Sequence, residues 1–369
     1  MIARMLRGAS WLASSLALLG FALVCIRQLG SLPALDATER GLLDLTTRMV
    51  RHAPLYDGPP AAGMPSLLPG FPLAAAIPVD LLGPNLLWLR LIALISIVAL
   101  AIIIMAVVHE ETENSTVAVA SGSIMLAGYG LLVGNPAAAR PEPLMLLLAL
   151  GGGLALRSMP GAAGGLIAAA MMSAASFTQP QALWFALAAF VYLTREDRGR
   201  LLPYTAGMAV FFAGGYVLLS HYLGPWFNYH AWDQPLQSLR FDGPGLLQFV
   251  GARLLGTLGV LTVMLVLSFA LPTRPWRGPG GLWPCIGLAA LAAGLLATQR
   301  AAPAPQDLAI CVAALALVGP ISLFRVSQHL STWPDSSRMA GEATVLVALV
   351  LQFVALFSGV PGSLLFTHA

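Results

Sequence analysis

The sequence contains no lysine: all 19 basic residues in its 369 positions are arginine. Charge of either sign is scarce, at 9%, where an ordinary globular domain carries roughly a quarter. With 58% hydrophobic residues and a mean hydropathy of +0.81, that shortage excludes a water-soluble globular protein. Only a bilayer solvates so much apolar surface. Cysteine is also rare. Cys25, Cys285 and Cys311 all sit inside apolar runs, show neither metal-ligand nor disulfide spacing, and read as small core residues. The net charge of +3 comes from arginines flanking apolar runs and gives no sign of a nucleic-acid partner.

Long apolar runs fill the chain from end to end. Because backbone polar groups must be satisfied inside lipid, segments of this length cross as helices. The reading is an all-α integral membrane protein of about eleven transmembrane helices, over roughly 9–30, 87–108, 115–133, 141–157, 162–177, 181–194, 202–221, 250–271, 282–298, 306–324 and 342–359. Residues 1–369 are expected to form one polytopic domain with no soluble C-terminal domain. The first apolar stretch follows Arg4 and Arg7 without a convincing cleavage site, and so reads as a retained first helix.

Arginine placement sets the expected orientation. With the N-terminus in the cytoplasm, the inner face holds Arg4, Arg7, Arg157, Arg195, Arg198, Arg200, Arg274, Arg277, Arg325 and Arg338, together with the acidic turn His109–Glu113. Two long loops, 31–86 and 222–249, are then outside, and polar chemistry concentrates there. In the first loop, Asp36, Arg40, Asp44 and Arg48 recur every four residues, with Leu42, Leu45 and Met49 on another face. This predicts an amphipathic helix on the membrane surface. Pro54–Pro72 is rich in Pro and Gly and predicts no regular helix. Leu73–Leu82 is apolar but too short to span, and reads as interfacial or re-entrant.

Several segments, in order, resemble the GT-C class of membrane glycosyltransferases, in particular its bacterial dolichyl-phosphate-mannose-mannosyltransferase-like branch. They are Asp36–Ala37–Thr38–Glu39, Pro54–Leu55–Tyr56–Asp57–Gly58, Pro69–Gly70–Phe71–Pro72–Leu73, and the run from Gly83 to Arg90 at the second span. Ala139–Arg140–Pro141–Glu142–Pro143–Leu144 and Ser176–Phe177–Thr178–Gln179–Pro180–Gln181 follow. The resemblance covers roughly residues 10–270. Gln179 stands where the family has Lys, and Ala304–Pro305–Gln306–Asp307–Leu308 replaces a late Asn- and Tyr-rich motif.

The resemblance implies sugar transfer from a polyprenyl-phosphate-linked donor to a glycan, lipid or protein acceptor outside the bacterial cytoplasmic membrane, without a metal or other cofactor. Such a reaction needs a carboxylate to take a proton from the acceptor hydroxyl, cations to meet the leaving phosphate, and an apolar groove for the tail. Carried over residue by residue, Asp36 and Glu39 are the candidate catalytic carboxylates, and Arg140 is the candidate phosphate ligand. Arg240 and Arg300, also placed outside, are further phosphate candidates. Tyr56, Glu142, Gln179, His230 and Asp233 are candidate substrate contacts.

Each residue also has a plainer reading. Asp36 and Glu39 could simply open an interfacial helix, where acids are favoured. Arg140 could snorkel to headgroups or pair with Glu142. Arg240 and Arg300 could be ordinary loop residues, and the aromatics of 222–249 could form an interfacial belt. His221, His230 and Asp233 lack diagnostic metal spacing. Two other functions stay open: a non-catalytic membrane subunit within a larger complex, and a transporter. The uncharged centres of the clearest spans argue against the transporter.

Overall fold

The computed structural model is helical throughout, with no strand among the described residues, which are 2–30, 36–58, 67–133, 135–239, 243, 247, 251, 255–270, 281–299, 305–330 and 338–358. In chain order the helices are α1 (Ile2–Gly30), α2 (Ala37–Val50), α3 (Gly70–Leu82), α4 (Leu86–Thr112), α5 (Ser115–Val133), α6 (Pro141–Ser158) and α7 (Gly161–Thr178). There follow α8 (Ala182–Glu196), α9 (Arg198–Met208), α10 (Gly215–Leu223), α11 (Pro225–Asn228) and α12 (Gln234–Ser238). The last four are α13 (Gly256–Ala270), α14 (Leu282–Ala297), α15 (Ala309–Leu330) and α16 (Arg338–Ser358).

A helix lies over each segment assigned from hydropathy. Six spans among the described residues have the length and apolarity to cross a membrane unaided: α1, α4, α5, α7, α15 and the continuous rod of α9 and α10. Four shorter apolar helices stand beside them, so the expected eleven crossings come to six by this measure.

The outward faces are built for lipid. Leu12, Ile95, Val210 and Val217 are each more than 60% exposed, which would be costly in water. By contrast, α15 is apolar on all sides and buried along most of its length, as a central helix should be. It packs against α5, α13, α14 and α16.

One helix is broken inside this core. Leu258 of α13 departs from helical geometry (φ −120°, ψ 21°). The fully buried Gln352 of α16 fills the gap: its Oε1 accepts from the Leu261 amide at 3.3 Å, and its Nε2 donates to the Thr257 carbonyl. Those two peptide groups would bond to each other in a regular helix, so the carboxamide is a wedge in the ladder.

Within 31–86 the described residues are folded much as their pattern predicts. On α2, Leu42 and Leu45 are buried, while Arg48 reaches Asp44 at 2.8 Å on the exposed side. On α3, Phe71, Ala75 and Val79 face inward and Leu73, Ile77 and Leu81 outward, as on a helix lying at a membrane interface. The expectation of no helix up to Pro72 is corrected here. The helix starts at Gly70, and Pro72 sits in its first turn, where a missing N–H costs no intrahelical bond.

At the far end of α4, Glu110 and Glu111 meet Arg157 of α6 at 3.2 and 3.6 Å, and Glu111 meets Arg325 of α15 at 3.6 Å. Arg90, near the other end of α4, is twenty residues from Glu110, hence about 30 Å at 1.5 Å per residue. The two polar clusters are therefore separated by about one hydrocarbon thickness.

Candidate functional site

The site begins at the N-terminus of α2. Asp36 is the N-cap: its backbone is extended, and its Oδ1 accepts from the Glu39 amide at 2.8 Å. An aspartate is favoured here because it satisfies an orphan N–H and carries charge that the helix dipole stabilises. Its other oxygen, Oδ2, accepts from Arg140 Nη2. The Asp36 side chain remains 40% exposed.

Glu39 is the second candidate carboxylate, one turn on from Asp36. It turns into the protein, where its side chain is 3% exposed. Both of its oxygens accept from Arg90, Nε to Oε1 at 2.9 Å and Nη2 to Oε2 at 3.0 Å. Oε1 also accepts the Ala139 amide at 2.9 Å. A single carboxylate thus ties α2, α4 and the segment entering α6. Such a bidentate pair is strong and directional, and losing either partner would strand a buried charge.

The Ala139 anchor fixes the next residue, Arg140, which forms the N-cap position of α6 with extended backbone (φ −132°, ψ 139°) before Pro141. The Arg140 side chain is 11% exposed. One terminal nitrogen meets Asp36, and Nη1 donates to Thr38 Oγ1 at 3.2 Å. Its Nε is buried without an acceptor. Arg140 was considered as a partner for nearby Glu142, but it pairs with a residue 104 positions away.

Glu142, two residues into the helix, turns elsewhere. Its Oε1 accepts from Gln179 Nε2 at 3.0 Å, while Oε2 is buried without a donor. Gln179 follows the last turn of α7, a position set by close packing of α3. A Cβ at Gly70 would lie 2.7 Å from the carbonyl carbon of Phe177, so only glycine allows that approach.

Tyr56, His230 and Phe227 form an aromatic group joining the segments before α3 and after α10. The Tyr56 and His230 rings lie 4.7 Å apart, and the Tyr56 hydroxyl donates to the Leu67 carbonyl at 2.9 Å. Burial raises the Tyr56 phenol above its ordinary range and lowers His230 below its usual 6.5, with a hydrogen bond from the imidazole to the Gly58 backbone opposing the latter. Beside them, Leu68, Phe177, Phe212, Tyr216, Phe227 and Trp232 line a closely packed apolar cleft with a free volume of about 10 Å³. Asp233 is exposed on the helical turn Tyr229–Asp233.

Of the residues proposed from sequence, Asp36, Glu39 and Arg140 come together, Glu142 pairs with Gln179, and Tyr56 packs on His230. Arg240 and Arg300 lie outside the described residues. Arg90 and Thr38 were not assigned a role from sequence. The signal for Arg90 was its lone charge near the start of a long apolar span, which hydropathy treats as a boundary. No group of three or more His, Cys, Asp or Glu side chains converges as a metal site among the described residues.

No family model and no curated protein matches the chain. Among solved structures it is similar to ArnT from Cupriavidus metallidurans in the apo state, with a TM-score of 0.60 at 12% identity over 94% of this chain and 76% of that one. The same protein bound to undecaprenyl phosphate gives a TM-score of 0.57 at 13% identity, with the same coverage. At this identity the likeness shows that the chain shares the multi-pass helical fold of ArnT. It does not extend to the dolichyl-phosphate-mannose branch.

Proposed function

We propose that this chain transfers a sugar from a polyprenyl-phosphate-linked donor to an acceptor at the outer face of the bacterial cytoplasmic membrane. The observation that carries the reading is the meeting of Asp36 and Arg140, a partly exposed carboxylate and a guanidinium brought together at one end of a GT-C fold. A similar fold holds undecaprenyl phosphate in ArnT.

In this reading Asp36 accepts the proton of the acceptor hydroxyl as the bond to the anomeric carbon forms. Arg140 binds the departing phosphate, where a planar two-point donor is superior to an ammonium. Glu142, steered by Gln179, offers its free oxygen to a substrate hydroxyl. Glu39 is reassigned from catalysis to positioning, because both its oxygens are occupied and it is buried. Arg240 and Arg300 remain proposed auxiliary phosphate ligands, and Asp233 and His230 proposed contacts to the acceptor side. With a free volume of about 10 Å³, the apolar cleft is far below the roughly 300–1,000 Å³ of ordinary ligand pockets, so a prenyl tail requires it to open.

A non-catalytic subunit would be favoured by the ion pair that occupies Asp36. The exposure of that carboxylate weighs against it. Comparing glycolipids and envelope glycans by mass spectrometry with and without the gene tests the proposal: loss of one glycan modification is expected, and unchanged profiles would contradict it. The identity of the lost sugar separates a mannose-using member from an ArnT-like one.

A further inference from the structure

Resting on that reading, we propose that Arg140 is an exchange latch: it holds Asp36 while the site is empty of phosphate, and the phosphate of a polyprenyl-linked donor frees Asp36 by taking over the guanidinium. Asp36 as it stands cannot accept a proton freely. Oδ1 is committed to the α2 N-terminus and Oδ2 to Arg140. Yet the carboxylate is 40% exposed, so an incoming group can reach it, whereas the guanidinium is 11% exposed.

Arg140 has limited freedom to serve both partners. Its backbone is fixed by the Ala139 amide on Glu39 and by Pro141, so the side chain must pivot from a set base. One terminal nitrogen is on Asp36, the other on Thr38, and Nε has no acceptor. A phosphate oxygen would satisfy Nε, and a second would displace either Asp36 or Thr38. Displacing Asp36 relieves the approach of two anions to one another. The alternative keeps a carboxylate against a phosphate across a single cation. Glu142 supplies no relief, being bonded to neutral Gln179 and carrying its own free anionic oxygen.

Competition has a signature that simple support does not. If Asp36 and phosphate compete for Arg140, then removing the carboxylate charge must tighten phosphate binding even as it removes the base. If Asp36 merely orients Arg140 for phosphate, the same change must weaken binding. Asn caps a helix as well as Asp does, so Asp36→Asn should keep α2 intact.

The experiment is a titration of undecaprenyl phosphate, phosphatidylglycerol and inorganic phosphate onto the full chain in phosphatidylethanolamine nanodiscs, read by native mass spectrometry and by protection of Arg140 from phenylglyoxal. Wild type, Asp36→Asn and Arg140→Ala are compared, with circular dichroism confirming the fold. The expected order for undecaprenyl phosphate is Asp36→Asn several-fold tighter than wild type and Arg140→Ala at least tenfold weaker, with phosphatidylglycerol, which lacks a prenyl chain, showing no such order. Wild-type binding with Asp36→Asn unchanged or weaker overturns the latch and leaves the polyprenyl-phosphate reading intact. The expected order with inorganic phosphate alone keeps the latch and removes the lipid donor. Absence of binding by either overturns both.

Discussion

Glu39 receives the guanidinium of Arg90 through both its oxygens and the amide of Ala139 through one of them, at 2.9–3.0 Å, with both side chains buried. It is the joint between the helix α2, the apolar span α4 and the backbone that carries Arg140. Removing one partner leaves the other as a buried, unpaired charge. Arg90→Met is therefore expected to destabilise the protein by about 3–5 kcal/mol. The double variant Arg90→Met with Glu39→Leu should recover much of that loss. Thermal unfolding in detergent checks it, and equal losses in the single and double variants would show that the ion pair is not what holds the joint.

The architecture was largely legible in the sequence, because hydrophobic period and length are local properties. The helices over 115–133 and 37–50 follow directly from the apolar run and from the four-residue charge repeat. Partner choice was not legible. Arg140 and Glu142 are neighbours in sequence, yet each turns to a distant residue, because Pro141 starts a helix that separates their directions. Glu39 looked like a second acid beside Asp36. The N-cap geometry, in which one residue precedes the helix and the other lies inside its first turn, sends one outward and the other into the core.

Asp36→Asn keeps the helix cap and removes the proton acceptor. Transfer is expected to fall by about 10²–10⁴-fold, the usual worth of a well-placed general base, with the unfolding temperature nearly unchanged. Rates measured on protein reconstituted with its donor check this. A variant within a few-fold of wild type would remove Asp36 from the base role.

The Glu142–Gln179 pair separates charge from hydrogen bonding. Glu142→Gln keeps an acceptor for Gln179 and is expected to lower kcat/KM by about tenfold, equivalent to about 1.4 kcal/mol. Gln179→Leu leaves a buried carboxylate oxygen without its donor and should cost about 1–3 kcal/mol in stability besides. If Glu142→Gln is the more damaging to folding, the pair is structural and its place beside the substrate is lost.

His230 gives the Tyr56–His230 contact a pH dependence. Burial lowers its folded-state pKa below the ordinary 6.5, so the unfolded chain binds the proton more readily. Its contribution is thus fully present above about 6.5 and is lost as pH falls through the lower folded value. Stability of the Tyr56–His230 packing should therefore decline on acidification below the ordinary histidine range, and His230→Phe should flatten that decline. Trp fluorescence against pH, with Trp226 and Trp232 nearby, follows it; identical profiles for the two proteins would contradict the assignment.

The most direct measurement is sugar release by purified protein in nanodiscs, supplied with a panel of undecaprenyl-phosphate-linked sugars and a membrane extract as acceptor. The account predicts that wild type frees undecaprenyl phosphate from at least one donor as the sugar appears on an acceptor, and that Asp36→Asn and Arg140→Ala do not. Folded wild-type protein that neither binds nor consumes any polyprenyl-phosphate donor would contradict it.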